Sequence, residues 1–341
     1  MGKHYQSNDK FNNNNVNSTN TKKIKKKKRK KNHRFLKIFL LIVIALGIFM
    51  GVRLYNAGGN WFAALLGHNK HTLENLEKFQ ILILGESTGM SDTIIVASYD
   101  PKTQEASLLT IPRDTFTGET KSSAKYYHKI NSLYSYGETP EKTLAAVNEI
   151  TGLDVKYYII VDTEALIKLV DTIEGLYYEV PIDMNYDDPT QDLYIHLSAG
   201  WQTLSGEQVE QLVRFRHNND GSTYPYSYGI EDHGRSKTQR NVIIAIAKQS
   251  IQFKNIKEIS KIIDIFKEYV DTNADLDAIK DYLPYAISMN MDNIKLATLP
   301  GSDDVVNGIW FFFHDEDETE KIVNELFHGI VETEDAETSE E

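Results

Sequence analysis

Four arginines stand at unusual positions, beside prolines, aromatic residues and glycines, where secondary-structure elements are predicted to end. They are Arg113, Arg214, Arg216 and Arg235. A planar guanidinium donates paired hydrogen bonds that match the oxygen atoms of a phosphate or a carboxylate. Four of these groups suit a pyrophosphate better than a single carboxylate, so together they predict one shared anion site.

The spacing of these arginines indicates how their side chains can meet. Residues two apart point the same way on a strand and nearly opposite ways on a helix, so Arg214 and Arg216 converge only where the chain has left its helix. Arg235 and Gln239 are four apart and share one helical face. Gly234, just before them, lets the backbone approach a ligand close to the positive end of the helix dipole.

An ordinary ion pair is the alternative explanation for each arginine. Possible partners are Asp114 for Arg113, Glu231 or Asp232 for Arg235, and the acidic surface for the other two. Exposed ion pairs contribute only about 0 to 1 kcal/mol, which gives no reason for several of them to sit at turns and element ends. The residues alone leave both interpretations open.

The elements that must position these arginines are predicted to be strands alternating with helices. The predicted strands cover residues 80–85, 93–98, 106–111, 157–161, 176–181, 193–197 and 294–299. The predicted helices cover residues 139–151, 163–173, 206–213, 240–251, 258–270 and 276–287. This alternation is typical of the α/β class, with a mixed β-sheet between helices.

Composition bounds the remaining possibilities. A chain of 341 residues with 41% hydrophobic residues can build one globular domain with appendages. The absence of cysteine excludes disulfides, thiolate catalysis and cysteine metal sites. Ten histidines show no paired-ligand spacing, so His128, His217 and His233 are interpreted as polar surface groups rather than zinc ligands.

Charge is divided sharply along the chain. Residues 1–34 carry twelve Lys or Arg against one Asp, whereas residues 35–341 carry 25 basic and 48 acidic residues. The basic run is interpreted as a topology signal in contact with anionic membrane lipid. Because the larger part is strongly acidic and no aromatic residues interleave the lysines, no nucleic-acid partner is expected.

A mostly apolar segment, whose single charged residue is Lys37, follows the basic run and predicts a single transmembrane helix over residues 35–52. Its longest uncharged stretch, Ile38 to Val52, would be about 22 Å of helix, or about 27 Å if Phe35 and Leu36 are added. The positive-inside rule then places the N-terminus in the cytoplasm and the rest outside. A cleaved signal peptide is the alternative, but the basic lead is long for one and Asn56-Ala57-Gly58 is a poor cleavage site.

These patterns predict five consecutive regions. They are a basic, disordered cytoplasmic lead (1–34), a transmembrane helix (35–52), a stalk (53–79), a folded extracellular domain (80–331) and an acidic, disordered tail (332–341). The expected location is therefore a cell membrane, crossed once.

Five motifs within residues 80–252 resemble, in order, those of the LytR-CpsA-Psr family. They are Ser91-Asp92-Thr93-Ile94-Ile95, Leu109-Thr110-Ile111-Pro112-Arg113-Asp114-Thr115, Lys129-Ile130-Asn131, Arg214-Phe215-Arg216, and Asp232-His233-Gly234-Arg235 with Gln239. The resemblance implies that residues 80–331 are the catalytic domain of a protein of a Gram-positive-type envelope. It implies an α/β/α sandwich with a mixed central sheet and an apolar tunnel for a polyprenyl chain. It also implies a phosphotransferase that moves a glycopolymer, such as teichoic acid or capsular polysaccharide, from an undecaprenyl pyrophosphate carrier to the muramic acid 6-hydroxyl of peptidoglycan.

The resemblance also assigns roles to individual residues. It implies that Asp92 holds Mg²⁺ and that Asp92 and Arg113 take part in catalysis. The pyrophosphate would be held by Arg113, Arg214, Arg216, Arg235 and Gln239. Metal and guanidinium groups would stabilise the charge that spreads over the phosphate during in-line attack by a hydroxyl. Asp92 is also a candidate to accept the hydroxyl proton, although a metal-bound carboxylate is a weak base.

The chain departs from the family pattern at three positions. Many members have a second aspartate about a dozen residues before Asp92, whereas the short loop here offers only Glu86, either a metal ligand or a plain loop carboxylate. Met90 and Thr238 stand where members have arginines, and Arg240 lies just beyond Gln239. The contacts that hold the phosphate are therefore expected to differ from those in other family members.

Two other functions remain open at this point. A pyrophosphatase acting on polyprenyl or nucleotide diphosphates would use the same arginines with water as the nucleophile. A catalytically weak envelope protein that binds polyprenyl phosphate in a regulatory role would fit the missing arginine and aspartate. Only a transferase needs an acceptor glycan, which separates it from both.

Overall fold

The structure is a computed structural model, and it describes residues 33–330 apart from residues 88, 136–138 and 253–257. Most of the predicted basic lead (1–34) and the predicted acidic tail (332–341) lie outside the described residues. The chain divides into two compact units, Met1–Phe49 and Met50–Glu341.

Strands and helices alternate along the described chain. The strands are β1 (Phe79–Ser87), β2 (Met90–Asp100), β3 (Glu105–Thr110), β4 (Tyr157–Val161), β5 (Leu176–Val180), β6 (Met184–Asp188), β7 (Leu193–Leu197), β8 (Gly200–Leu204), β9 (Val270–Thr272), β10 (Lys295–Thr298), β11 (Gly301–Val306) and β12 (Ile309–His314). The helices are α1 (His33–Asn56), α2 (Trp61–Leu66), α3 (Lys70–Asn75), α4 (Ser132–Ser135), α5 (Pro140–Thr151), α6 (Thr163–Thr172), α7 (Gly206–Arg214), α8 (Glu231–Ser250), α9 (Ile259–Tyr269), α10 (Leu276–Ile279), α11 (Leu283–Ser288) and α12 (Glu316–Val323).

Helix α1 carries the apolar segment predicted to span a membrane. Lys37 and Arg53 lie within this helix, and the fifteen residues between them are uncharged. The predicted transmembrane helix over residues 35–52 is not found, because no helix among the described residues is both long enough and apolar enough to cross a bilayer.

The segment that follows α1 packs onto α11. Ala63 and Ala64 of α2 are fully buried in a small apolar cluster that includes Tyr285. Asn60 caps α2 by accepting a hydrogen bond from the Ala63 backbone at 2.9 Å, and its amide donates to the Ser288 hydroxyl at 2.8 Å. The predicted stalk residues therefore have defined contacts with the C-terminal part of the domain.

A six-stranded mixed sheet forms the centre of the second unit. Its strand order is β10-β3-β2-β1-β4-β9. β1 pairs with β4 and β3 with β10 in parallel, whereas the pairs β1–β2, β2–β3 and β4–β9 are antiparallel. The mixed α/β class predicted from the sequence is confirmed.

The alternation of side chains along β1 gives the sheet two distinct faces. Leu82 and Leu84 are fully buried in the main apolar core. Ile81 and Ile83 point to the opposite face, where they line a cavity. Since side chains on a strand alternate between faces, this one apolar run serves both the core and the cavity.

Helix α5 covers the core face. Pro140 occupies its first turn and Gly152 ends it in the left-handed conformation at φ 68°, as the sequence predicts. Leu144 and Val147 on its inner face pack into the main core with Val323 of α12. The burial of these apolar side chains in the core, together with the two end signals, explains why α5 forms.

The other side of the sheet carries a second core. Helices α6, α7 and α8 enclose it with two antiparallel pairs, β5–β8 and β6–β7. Its members include Val170, Leu176, Val209, Leu212 and Val242, all essentially buried. Helices therefore lie on both sides of the sheet.

Several elements differ from the prediction. Helix α8 begins at Glu231, before the predicted range 240–251, because its polar first turns lack apolar periodicity. Arg235 and Gln239 both lie in this helix, as their spacing predicts. Strand β11 was not predicted, since its exposed sequence Gly-Ser-Asp-Asp-Val-Val has low strand propensity. In its partner β12, Phe311 and Phe312 are buried.

The contact between α6 and α7 generates a stability prediction at Gly206. A Cβ at Gly206 would lie 2.5 Å from the Ile167 carbonyl oxygen and 2.7 Å from its Cα. Because both atoms belong to backbone, Gly206→Ala should separate the helices and lower the free energy of unfolding by about 1 to 3 kcal/mol. Urea denaturation followed by circular dichroism measures this change.

A matched control is Gly51→Ala, since Gly51 also lies in a helix and a Cβ there meets nothing within 4 Å. That variant should keep the parent midpoint. Equal midpoints for both variants and the parent would show that the α6–α7 contact is not close-packed.

Candidate functional site

The cavity lies between the central sheet and helices α6, α8, α9 and α11. Its volume is about 800 Å³. Apolar residues dominate its walls, among them Ile83, Ile159, Leu166, Val242 and Phe266. A chamber of this size and lining falls in the range of pockets that bind small molecules and cofactors.

The candidate site residues all line this cavity. They are Glu86, Asp92, Arg113, Arg214, Arg216, Arg235 and Gln239. They arrive from separate elements: the β1–β2 hairpin, the segment after β3, the end of α7 and the first turns of α8. The fold therefore brings charged groups that are distant in sequence to one apolar chamber.

Three of the four arginines meet at the carboxylate of Asp232. Arg113 Nη2 lies 2.8 Å from Asp232 Oδ2, while Arg216 Nε and Arg235 Nη2 lie 2.8 and 2.9 Å from Oδ1. The ion pairs considered as an alternative to a shared anion site are present, yet they converge on a single point. The guanidiniums are thus held together by an internal anion.

Asp92 is the second carboxylate of this cluster. Arg113 Nη1 donates a hydrogen bond of 2.5 Å to Asp92 Oδ1, and Arg235 Nη2 lies 3.7 Å from the same oxygen. Two carboxylates therefore face three guanidiniums, Arg216 being the third.

Burial and charge act in opposite directions on the pKa values of this cluster. Burial alone would raise the pKa of Asp232, but Arg235, Arg113 and Arg216 outweigh it and hold that pKa below its usual range. For Arg235, burial and the neighbouring Arg113 lower the pKa. For Arg113, burial lowers the pKa, but Asp232 and Asp92 outweigh it and the net shift is upward. The carboxylate at the centre is therefore ionised near neutral pH.

Three buried donors of the cluster have no hydrogen-bond acceptor of good geometry among the described residues. They are the Nε atoms of Arg113, Arg216 and Arg235, and that of Arg216 lies 2.8 Å from Asp232 Oδ1 without the geometry of a hydrogen bond. The Arg235 side chain is only 8% exposed, so water is largely excluded from it. Buried donors without partners are costly, and an external oxyanion would satisfy them.

Arg214 stands apart from the Asp232 cluster. Its Nη1 donates to Glu210 Oε1 at 2.7 Å, four residues earlier on α7. The chain leaves the helix at Phe215, which is extended and fully buried, as convergence of the Arg-Phe-Arg segment requires. Arg216 reaches Asp232, whereas Arg214 pairs with Glu210 and also lines the cavity.

Gln239 supports the end of α7. Its amide donates to the Val213 carbonyl at 3.1 Å, which satisfies one of the free carbonyls at the helix C-terminus. Gln239 is almost fully buried. It therefore holds the Arg-Phe-Arg segment against α8 in addition to lining the cavity.

Gly234 is required by packing, not by the approach of a ligand. A Cβ at this position would overlap the Tyr224 ring and the Gly229 carbonyl. The Tyr224 ring stacks on Tyr228 at 5.2 Å and is buried. The interpretation of Gly234 as a ligand approach point is therefore wrong, and close packing of the preceding loop on α8 is the reason for glycine.

Glu86 and Asp92 are the carboxylates predicted to hold a metal. Tyr134 donates a hydrogen bond of 2.9 Å to Glu86, and burial together with this bond raises the pKa of Tyr134 to about 12. Within the described ranges no group of three or more His, Asp or Glu residues could hold a metal ion by itself. The donor set nevertheless fits Mg²⁺, which is commonly held by one or two carboxylates together with substrate phosphates.

Two departures from the family pattern, Met90 and Thr238, and the neighbouring Arg240 have defined surroundings. Met90 lines the cavity, and Thr238 is fully buried 3.0 Å from the Tyr228 hydroxyl. Arg240 faces away from the cluster and donates to Thr298 of β10 at 3.1 Å. Arg240 therefore does not replace the missing arginines.

Sequence reasoning did not assign Asp232 to the site. It treated this residue only as a possible ion-pair partner of Arg235, although it lies three residues away on the same helix. The signal available was its place in the same motif as Arg235. What a single sequence does not show is that Arg113 and Arg216 reach the same carboxylate.

Comparison with known proteins identifies relatives of this chain. Residues 8–328 match the LytR_cpsA_psr family. A Bacillus subtilis protein named polyisoprenyl-teichoic acid–peptidoglycan teichoic acid transferase TagV is 27% identical over 321 residues, covering 88% of this chain and 78% of that protein. An uncharacterised Staphylococcus aureus protein is 26% identical over 236 residues, and this match covers 69% of the chain but only 55% of the relative.

A solved structure supports the same relationship at the level of the fold. The crystal structure of Bacillus subtilis TagV matches with a TM-score of 0.59 and 24% identity, covering 74% of this chain and 98% of that chain. The mixed sheet with helices on both sides is thus the architecture of these relatives. The family match across nearly the whole sequence shows that this chain belongs to the LytR_cpsA_psr family.

Proposed function

We propose that this protein transfers a glycopolymer from an undecaprenyl pyrophosphate carrier to the muramic acid 6-hydroxyl of peptidoglycan and forms a phosphodiester. The observation that carries the proposal is the meeting of Arg113, Arg216 and Arg235 at the wall of an apolar chamber of about 800 Å³. A polyprenyl pyrophosphate combines an anionic head with an apolar chain. It therefore matches the two halves of this site.

The proposed chemistry is an in-line displacement at the sugar-linked phosphorus. The acceptor hydroxyl forms a new bond to this phosphorus, the bond to the bridging oxygen breaks, and polyprenyl monophosphate leaves with the electron pair. Arg113 and Arg235, whose Nε atoms are free to donate, would hold the non-bridging oxygens. Fixed guanidiniums stabilise the charge that spreads over these oxygens in the transition state.

Charge balance favours a divalent cation in this proposal. Three guanidiniums against the carboxylates of Asp92 and Asp232 leave a single positive charge, less than the negative charge of a pyrophosphate. Asp92, with Glu86 as a second candidate, would hold Mg²⁺, which would supply Lewis-acid stabilisation of the phosphate oxygens. Both carboxylates line the cavity.

The proposed place of action is the outer face of a cell membrane. The support for this location is the basic run within residues 1–34 and the polyisoprenyl and peptidoglycan in the name of the Bacillus subtilis relative. Membrane lipid and peptidoglycan are then the surroundings, with the lipid-linked glycopolymer as the substrate.

One experiment separates the proposed function from its alternatives. Full-length protein is incubated with lipid-pyrophosphate oligosaccharide and Mg²⁺, with and without peptidoglycan oligomers, and the products are identified by mass spectrometry. Transfer predicts a phosphodiester-linked product only when the acceptor is present. Acceptor-independent release of phosphorylated oligosaccharide indicates a pyrophosphatase, and bound but unreacted lipid indicates a binding protein.

Arg216→Ala tests the arginine cluster. Its side chain is 39% exposed, so its removal should leave the fold intact. Loss of one preorganised donor should lower the transfer rate by about 100- to 1,000-fold. Initial rates of product formation measure this effect.

The matched control for that variant is Arg240→Ala in helix α8, which removes an arginine outside the cluster. Arg240 donates to Thr298 and the Ala297 carbonyl and does not line the cavity. Its variant should transfer at the parent rate. Full activity in Arg216→Ala, or equal losses in the two variants, would contradict the assignment.

Asp92→Asn tests the proposed metal ligand. The amide removes a negative charge that attracts a cation, so both the transfer rate and its response to Mg²⁺ should fall. Titration of the initial rate with Mg²⁺ gives the measurement. An unchanged curve for Asp92→Asn would place the metal elsewhere.

Glu86→Gln tests the second candidate ligand in the same titration. It should shift the Mg²⁺ curve only if Glu86 is a second ligand.

A further inference from the structure

His217 lies in the wall of the same cavity, directly after Arg216. It is partly buried and lines the cavity with Tyr186, Arg214 and Arg216. Its ring packs edge-on against the Tyr186 ring, with centroids 5.4 Å apart and an interplanar angle of 88°. The sequence-based interpretation of His217 as a surface group therefore does not describe its position.

Two asparagines fasten this part of the chain to β6. Asn218 Oδ1 accepts a hydrogen bond from the Asn185 backbone at 2.6 Å, and Asn219 Oδ1 accepts one from the Asp187 backbone at 2.7 Å. The Asn219 amide also donates to the Asp187 carbonyl at 3.1 Å. These bonds imitate strand pairing, so His217 is held next to Tyr186.

The hydrogen bond of the His217 ring identifies which nitrogen is protonated. Nδ1 lies 3.0 Å from the Asn218 carbonyl oxygen. A carbonyl oxygen only accepts hydrogen bonds, so Nδ1 must carry the proton and donate. In the neutral ring Nε2 is then the unprotonated nitrogen, and an unprotonated imidazole nitrogen accepts protons.

We propose that His217 is the general base of the transfer reaction and accepts the proton of the attacking hydroxyl at Nε2. This inference rests on the proposed function. As the hydroxyl oxygen bonds to the sugar-linked phosphorus, its proton moves to Nε2 and the bond to the bridging oxygen breaks. Polyprenyl monophosphate leaves with the electron pair, and the imidazolium later releases its proton to water.

The other candidate for this role is less suitable. Asp92 accepts a short hydrogen bond from Arg113 and is the proposed cation ligand, and both interactions reduce the basicity of a carboxylate. His217 carries no ion pair in the described structure and lies beside Arg216, whose guanidinium belongs to the anion cluster. Its position thus places a proton acceptor in the wall of the cavity that the cluster also lines.

Several charged and titratable groups surround the His217 ring and bear on its pH dependence. Arg214 and Arg216 share its wall of the cavity, and the Tyr186 phenol belongs to the ring packed against it. Asp187 and Asp188 lie on the same strand as Tyr186. None of these is a proposed metal ligand, so changes at His217 can be separated from changes at Asp92.

The test compares His217→Gln with the parent in the acceptor-dependent transfer assay between about pH 5 and 9. Glutamine keeps a polar side chain but accepts no proton, so the rate at neutral pH should fall by about 100-fold or more. The parent and the variant should differ in how the rate depends on pH, because only the parent has an imidazole to accept the proton. Affinity for the lipid-pyrophosphate oligosaccharide, measured by calorimetry, should remain at the parent value.

Two controls separate a chemical role from a structural one. His196→Gln makes the same change on β7 of the same hairpin, where His196 bonds Asn185 and Asp187 outside the cavity lining, and it should transfer at the parent rate. Free imidazole should restore part of the activity of His217→Ala, which a merely structural role would not allow. His217→Asn replaces the glutamine variant if the latter fails to fold.

The outcomes are distinguishable from those of the proposed function. If the parent protein transfers oligosaccharide and His217→Gln does so at the parent rate with the same pH profile, the inference is overturned while the function stands. A loss of rate without imidazole rescue or a changed pH profile also overturns it. If the parent forms no acceptor product, the proposed function fails, and the inference fails with it.

Discussion

The shared carboxylate of Asp232 is the interaction on which the site depends. It holds Arg113, Arg216 and Arg235, which come from the segment after β3, the end of α7 and the first turns of α8. Three guanidiniums this close would repel one another without a nearby negative charge. Their attraction to one carboxylate joins three separate parts of the fold, and the hydrogen bond from Gln239 to the Val213 carbonyl fixes two of them more closely. The charge cluster is therefore part of the framework as well as a binding surface.

The sheet supplies the second half of the site through the alternation of its side chains. Leu82 and Leu84 complete the main core, while Ile81 and Ile83 on the same strand line the cavity. Helices α6, α8, α9 and α11 stand over this second face without filling it. The core around Leu82 and Leu84 is close-packed, so the cavity on the opposite face of the sheet leaves the packing of that core intact. The two faces of strand β1 thus contribute to a close-packed core and to a large apolar chamber.

Much of this architecture follows from sequence patterns, and the exceptions share a physical cause. The limits of α5 were predictable from Pro140 and Gly152, and the exit of the chain from α7 followed from the requirement that Arg214 and Arg216 point the same way. The start of α8 was missed because its buried face is polar, and hydrophobic periodicity does not reveal such a helix. Asp232 was missed as a site residue because its importance comes from partners that are distant in sequence. Gly234 was misinterpreted because Tyr224, not a ligand, occupies the space beside it.

An internal carboxylate at the centre of an arginine cluster also affects which anions can enter. Asp232 lies on the same helix as Arg235. Any incoming anion therefore competes for the guanidinium with the Asp232 carboxylate, which is present at high effective concentration. Chloride or a simple carboxylate would gain little by displacing a group of equal charge. An ion with several oxygens and more than one negative charge can instead engage the free Nε donors as well as the groups facing Asp232. The cluster is thereby selective against the abundant monovalent anions of its surroundings.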